Sequence, residues 1–176
     1  FTNAAQEAVQ SKLYGSDLIK YIEKMDVVPT GKWLVIALLT STDYNNNDTS
    51  FLANDKYGKA IQMLSQSQSE QVEILYVIQN HCNSLKFPKV ETLKGSRYLI
   101  EVLFQSLYEN DLIDIESFLM WVEDETHNAI LGKPKAIIQT NSFMEFLKSE
   151  LEYVDENEEN LEEEEEEPDD KLMGNY

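Results

Sequence analysis

Metal-binding and nucleophilic side chains are scarce in this sequence, with one cysteine and two histidines in 176 residues. Cys82 alone cannot form an internal disulfide and suits a reducing compartment. His81 and Cys82 are adjacent, so on a helix their side chains diverge by roughly 100° and cannot serve as base and nucleophile. With only His127 besides, His and Cys cannot assemble a metal set. Glycine-rich phosphate cradles are missing, and the abundant carboxylates carry no specificity for acid–base catalysis in so acidic a chain. No enzymatic centre and no cofactor is therefore expected. The longest apolar run, Trp33 to Leu39, is too short to span a bilayer and reads as a buried helix. Positive charge is also short: 14 Lys and Arg stand against 33 Asp and Glu, a net charge of −19. That balance excludes nucleic-acid backbone binding as the main task, because such binding needs clustered cations.

What is present is enough apolar residue, 42%, to build one core. The negative charge is uneven. From Asp155 to Tyr176 there are twelve acidic residues and one basic, a net of −11, which leaves −8 for all the rest. The chain therefore divides into a body over residues 1–152 and an acidic tail over 153–176. The unbroken run Glu162 to Glu167, followed by Pro168-Asp169-Asp170, should repel itself into disorder. The first residue is Phe1 rather than Met, so the chain is expected to be a piece of something longer.

Helical signals dominate the body. Ala4 to Tyr14 reads as a first helix ended by Gly15, and Ser16 as the cap of a second running through Met25. An apolar helix follows around Trp33 to Thr40, then a polar loop from Asp43 to Ser50. Asp43, Asn45 and Asn47 match the first positions of a calcium loop. Asp48 stands where that loop needs glycine, however, and Asn54 where it needs a bidentate Glu. Asn47-Asp48-Thr49 is formally a glycosylation sequon and reads as a coincidence. Further helices are expected from about Asp55 to Gln66, from a Ser69 cap with Val72, Leu75, Ile78 and Cys82 on one face, and from Arg97 to Tyr108. Ile115, Phe118, Leu119 and Val122 recur at helical spacing, as do Thr140, Phe143, Met144, Leu147 and Leu151. No strand pattern competes. The expected class is all-α, a short HEAT-like solenoid of stacked antiparallel helix pairs.

Two stretches interleave rings and acids: residues 107–124 and 143–152. Carboxylates supply a field that draws in a basic segment, and rings supply rigid contact area for its aliphatic stems. Taking 100° per residue, Trp121 falls outside the apolar stripe of its helix, beside Asp114, and could present its ring to a partner. It could equally pack against a neighbouring helix with its indole N–H on a carboxylate. Phe143, Met144 and Leu147 read as core, and the acids Glu109, Asp111, Asp114, Glu123 and Asp124 as either contact surface or a solvated face.

In order and spacing, Leu103-Phe104-Gln105-Ser106-Leu107-Tyr108-Glu109-Asn110-Asp111-Leu112-Ile113, with Glu116-Ser117-Phe118-Leu119-Met120-Trp121-Val122-Glu123-Asp124, resembles the first aromatic/acidic box of certain translation initiation factors. These are the C-terminal helical-repeat domains of the initiation factor 4 gamma family, initiation factor 5 and the epsilon subunit of initiation factor 2B. Gly132-Lys133-Pro134-Lys135-Ala136-Ile137-Ile138-Gln139 with Phe143-Met144-Glu145-Phe146-Leu147 is similar to the second box of the 4 gamma group, nearest its death-associated (p97) branch. Phe143 and Phe146 stand where that box usually has tryptophan, which removes an indole donor. The resemblance implies a cytoplasmic, non-catalytic scaffold domain in translation initiation. It implies as partners the lysine-rich segment of the initiation factor 2 beta subunit and a MAP-kinase-interacting kinase, with no nucleic acid and no membrane. Carried over by position, the implied contact residues are Tyr108, Glu109, Asp111, Asp114, Glu116, Trp121, Glu123, Asp124, Phe146, Glu150 and Glu152. Two other readings stand beside it: a purely structural helical module with a solubilising tail, and an initiation factor 5-like or factor 2B epsilon-like domain.

Overall fold

Two side-chain caps fix where the central helices begin. Thr30 accepts from the Trp33 amide and opens α3 (Gly31–Leu39). Ser67 and Glu70 form a reciprocal capping box that opens α5 (Gln68–Ser84). The cap is Ser67 rather than Ser69, because only Ser67 has a glutamate three residues on to return the bond. The structure, a computed structural model, describes residues 2–126 and 132–165. Around α3 and α5 stand α1 (Thr2–Gln10), α2 (Gly15–Ile22), α4 (Lys59–Met63), α6 (Leu99–Glu109), α7 (Ile115–Glu123) and α8 (Lys133–Glu165).

Consecutive helices pack as pairs, α1 on α2, α3 on α4, α5 on α6 and α7 on α8. The odd-numbered members touch in turn along one layer, while α2 meets α4 and α6 meets α8 in the other. This is the all-α stack of helix pairs expected from helix number and connection length. One apolar cluster runs through it from Leu18, Ile22 and Leu34, past Ile74 and Ile78, to Phe104, Phe118, Trp121 and Leu147.

Several boundaries differ from expectation, each for a local reason. α1 stops at Gln10, and Lys12 takes a left-handed φ of 56°. Gly15 is the first residue of α2, which has no side-chain cap from Ser16. The helix expected from Asp55 survives only as α4, preceded by an irregular turn over Asn54–Gly58 in which Lys56 is non-helical. There the chain folds back on itself, and a Cβ on Gly58 would lie 2.4 Å from the Leu52 carbonyl oxygen. An antiparallel hairpin, β1 (Lys89–Thr92) with β2 (Gly95–Tyr98), appears where no strand was expected, and its last two residues are the start of the helix expected from Arg97. Only Val90 of this hairpin is buried, so its alternation is too short to register as a strand.

α8 continues past residue 152 into the segment read as tail, reaching Glu165. Packing stops earlier. Leu147 is the last fully buried residue, Leu151 is half-buried, and every residue from Glu152 to Leu161 is exposed. Glu166 to Tyr176, including Pro168-Asp169-Asp170, lie outside the described residues, as does His127.

Gly132 opens α8 at φ +75°, and a Cβ there would lie 2.5 Å from the Phe87 ring. Gly132→Ala should therefore lower unfolding free energy by roughly 1–3 kcal/mol in denaturant titrations, and an unchanged midpoint would contradict the close approach. His81, half-buried against the Tyr44 ring, has its pKa pushed below 6.5 by burial. Its neutral form favours folding, so this contribution is intact above pH 6.5 and fades as pH falls below it. His81→Gln should lose less stability between pH 7 and pH 5 than the parent chain; equal losses would refute this.

Candidate functional site

α5 carries two amides on its inward side. Gln71 lies on the face of Leu75, Ile78 and Cys82, and Gln79 follows two turns later; both are buried. The Gln71 carbonyl oxygen accepts from the Asp114 amide at 2.9 Å and the Ser117 hydroxyl at 2.8 Å. Its amide nitrogen donates to the Ser65 carbonyl and to the Asp114 carboxylate. The Gln79 side-chain oxygen accepts the Trp121 indole N–H at 3.0 Å. One helix thus seats both ends of α7.

Lys133, the first residue of α8, is 1% exposed and closes this arrangement. Its ammonium donates to the Trp121 carbonyl, to the Tyr76 hydroxyl at 3.1 Å and to the Asp124 carbonyl at 3.3 Å. It also lies 4.6 Å above the Trp121 ring and 5.0 Å above that of Tyr76. The C-terminal carbonyls of α7 are the negative end of that helix, which suits a cation. Burial lowers the Lys133 pKa, and the Asp124 carboxylate opposes that shift. Tyr76 in turn donates to Asp124 at 2.6 Å; burial and that bond together raise the Tyr76 pKa.

The eleven residues implied as contacts therefore separate. Trp121 is fully buried against Phe104, their ring centroids 5.0 Å apart, and its indole donates to an amide rather than to a carboxylate. It has no ring to present, which corrects its placement beside the stripe. Asp124 is half-buried, accepting from Tyr76 and from the Thr126 amide and hydroxyl. Asp114 is exposed but tied to Gln71, and Glu109 accepts from the Gln105 amide at 2.6 Å. Glu116 and Glu123 share an outer face of α7 with Met120, which is 43% exposed. The spacing of four and three residues could have revealed Met120.

Tyr108, Asp111, Phe146 and Glu150 are brought together. The Tyr108 and Phe146 rings lie 6.0 Å apart, edge to face, and Phe146 is 45% exposed. Burial raises the Tyr108 pKa, and the carboxylates of Glu150 and Asp111 raise it further. Asp111 adopts a left-handed φ of 57°, and its carbonyl accepts from Gln62, which pins the turn between α6 and α7. Glu152 stands two residues beyond Glu150, a rotation of roughly 200° that turns it to another face. An open groove beside the turn is lined by Ile19, Lys59, Met63, Asp111, Leu112 and Asp114. No local pattern singles out Tyr76, Gln79 or Lys133, whereas Gln71 heads the apolar face of Leu75, Ile78 and Cys82 on α5 and so signals a buried amide.

Among the described residues no three His, Cys, Asp or Glu side chains are grouped to hold a metal ion. No helix there is long and apolar enough to cross a membrane. No family profile matches the chain. Eukaryotic translation initiation factor 4 gamma 2 from Homo sapiens, Mus musculus and Bos taurus is in each case 35% identical over 88 residues. That segment is 50% of this chain and 9% of each relative, so the match spans about a tenth of the relatives' length.

Trp121→Ala is expected to cost roughly 3–5 kcal/mol of unfolding free energy, and Lys133→Met roughly 2 kcal/mol. Glu123→Gln should stay within about 0.5 kcal/mol of the parent. Denaturant titration checks all three; equal effects would contradict the division between internal and outward residues.

Proposed function

We propose that this chain is a non-catalytic interaction domain of a translation initiation factor 4 gamma-like scaffold, docking lysine-rich segments of its partners. The 35% identity with initiation factor 4 gamma 2 over half the chain supports the family relationship. The observation that carries the docking surface is the half-exposed Tyr108–Phe146 ring pair flanked by Asp111 and Glu150. Among the described residues neither carboxylate is engaged in an ion pair. Lysine stems lie along the rings while their ammonium groups meet the carboxylates, and Glu116, Met120 and Glu123 extend the acidic, apolar character along α7.

The lysine-rich segment of the initiation factor 2 beta subunit and a MAP-kinase-interacting kinase are the partners that the family resemblance suggests, in a cytoplasmic setting. An enzymatic role has no support in the residues: Cys82 is buried with its thiol pushed up to about 12, which removes it as a nucleophile. The purely structural reading holds for Trp121 and Asp124, whose polar groups are used internally.

Asp111→Asn with Glu150→Gln preserves the turn, since asparagine tolerates a left-handed φ. The double variant should bind a lysine-rich peptide at least about tenfold more weakly, with unchanged helical content, and parent affinity should fall steeply with salt. Unchanged affinity, measured by fluorescence anisotropy, would sink this proposal.

A further inference from the structure

The distal half of α8 carries an apolar stripe that none of the described residues covers. Phe146, Tyr153, Val154 and Leu161 are 45%, 67%, 48% and 63% exposed. At 100° per residue they fall within about 100° of one another, with Glu150 and Asn157 on the same face. The stripe runs some 22 Å along the helix axis at 1.5 Å per residue. One flank is acidic, with Glu145, Glu152 and Glu156 along it; between residues 145 and 161 there are seven acidic residues in all and one lysine, Lys148, which is paired with Glu145. This part of α8 also works against itself. Glu152 and Glu156, Asp155 and Glu159, and Glu156 and Glu159 are like-charge neighbours one turn apart, which destabilise a stretch of helix that no described element supports.

We propose that this face seats a basic amphipathic helix of about four turns from a partner protein, packing apolar side chains on Phe146, Tyr153 and Leu161 beside a row of lysine or arginine that meets Glu145, Glu152 and Glu156. The inference rests on the reading of the chain as a docking domain for basic segments and adds a second, helical element to it. Charge selects this occupant. A second copy of the chain would bring acids against acids, and the residues following α8 are themselves acidic. Among the described lysines of α8, Lys148 is paired with Glu145, and Lys135, over the Phe87 ring, lies near the start of the helix, about 39 Å along the axis from Leu161. A cationic partner relieves the repulsion along α8, so binding and distal helicity rise together.

The test uses two 18-residue peptides of identical leucine and lysine content, one with leucines along one helical face and one with them dispersed. Each is titrated against the full chain and against its Tyr153→Ser, Leu161→Ser double variant. The parent chain should bind the amphipathic peptide at least about tenfold more tightly than the dispersed one, and the double variant should lose that preference. Binding of an oligolysine peptide should be unaffected by the double variant. Equal affinity of the parent for both peptides, or a preference that survives in the double variant, overturns the proposal. So does a concentration-dependent dimer that the double variant abolishes, which assigns the stripe to a second copy. Insensitivity of oligolysine binding to Asp111→Asn with Glu150→Gln would overturn the ring-pair site alone and leave the helix preference to be judged on its own result.

Discussion

Lys133 is a cation buried among three helices, and its requirements shape the second half of the molecule. An ammonium taken out of water must recover its hydration in hydrogen bonds and field. It does so from the carbonyl groups ending α7, the Tyr76 hydroxyl on α5 and the faces of two rings, with the Asp124 carboxylate nearby. For the first residue of α8 to reach that position the chain must turn at Gly132 beneath Phe87, where no side chain fits. The same network draws Trp121 inward onto Gln79. The entry of α8, the seating of α7 on α5 and the orientation of Trp121 between them are thus settled together.

What remains outward after that network is satisfied is the surface available to a partner. Trp121 and Asp124 are used up inside it, whereas Glu116, Met120 and Glu123 on α7 and Tyr108, Asp111, Phe146 and Glu150 between α6 and α8 are not. The aromatic/acidic pattern of the sequence therefore mixes two jobs. One set of rings and acids holds the helices in place, and the other offers a negatively charged, partly aromatic face. Rigid placement of the second set follows from the first, because Phe143 contacts both Phe118 in the core and Tyr108 at the edge.

The helical class and most of the core were legible in the sequence, because Leu75, Ile78, Phe118, Phe143 and Leu147 recur at helical spacing. Trp121 was misplaced for a physical reason. A single apolar stripe describes a helix packed on one side, but α7 is gripped by both α5 and α8, so a second face bearing Ser117 and Trp121 is also buried. Only Val90 marks the hairpin as a strand, and the break at Lys56 goes with the close approach of Gly58 to the Leu52 and Ala53 backbone, which helical spacing of apolar residues does not register. The Lys133 network joins residues 76, 121, 124 and 133, and no local pattern encodes such a meeting. Asp111 and Glu150 were named from the family resemblance, while their convergence on one ring pair emerged only from the fold.

The contact surface proposed for this chain is the outward ring pair with its acids, not the inward tryptophan. Amide and indole chemical shifts followed by NMR during titration with a lysine-rich peptide address it directly. Perturbations should centre on Asp111, Phe146 and Glu150, with the Trp121 indole resonance unmoved. Shifts centred on Trp121 and Asp124, or on the β1–β2 hairpin, would contradict it.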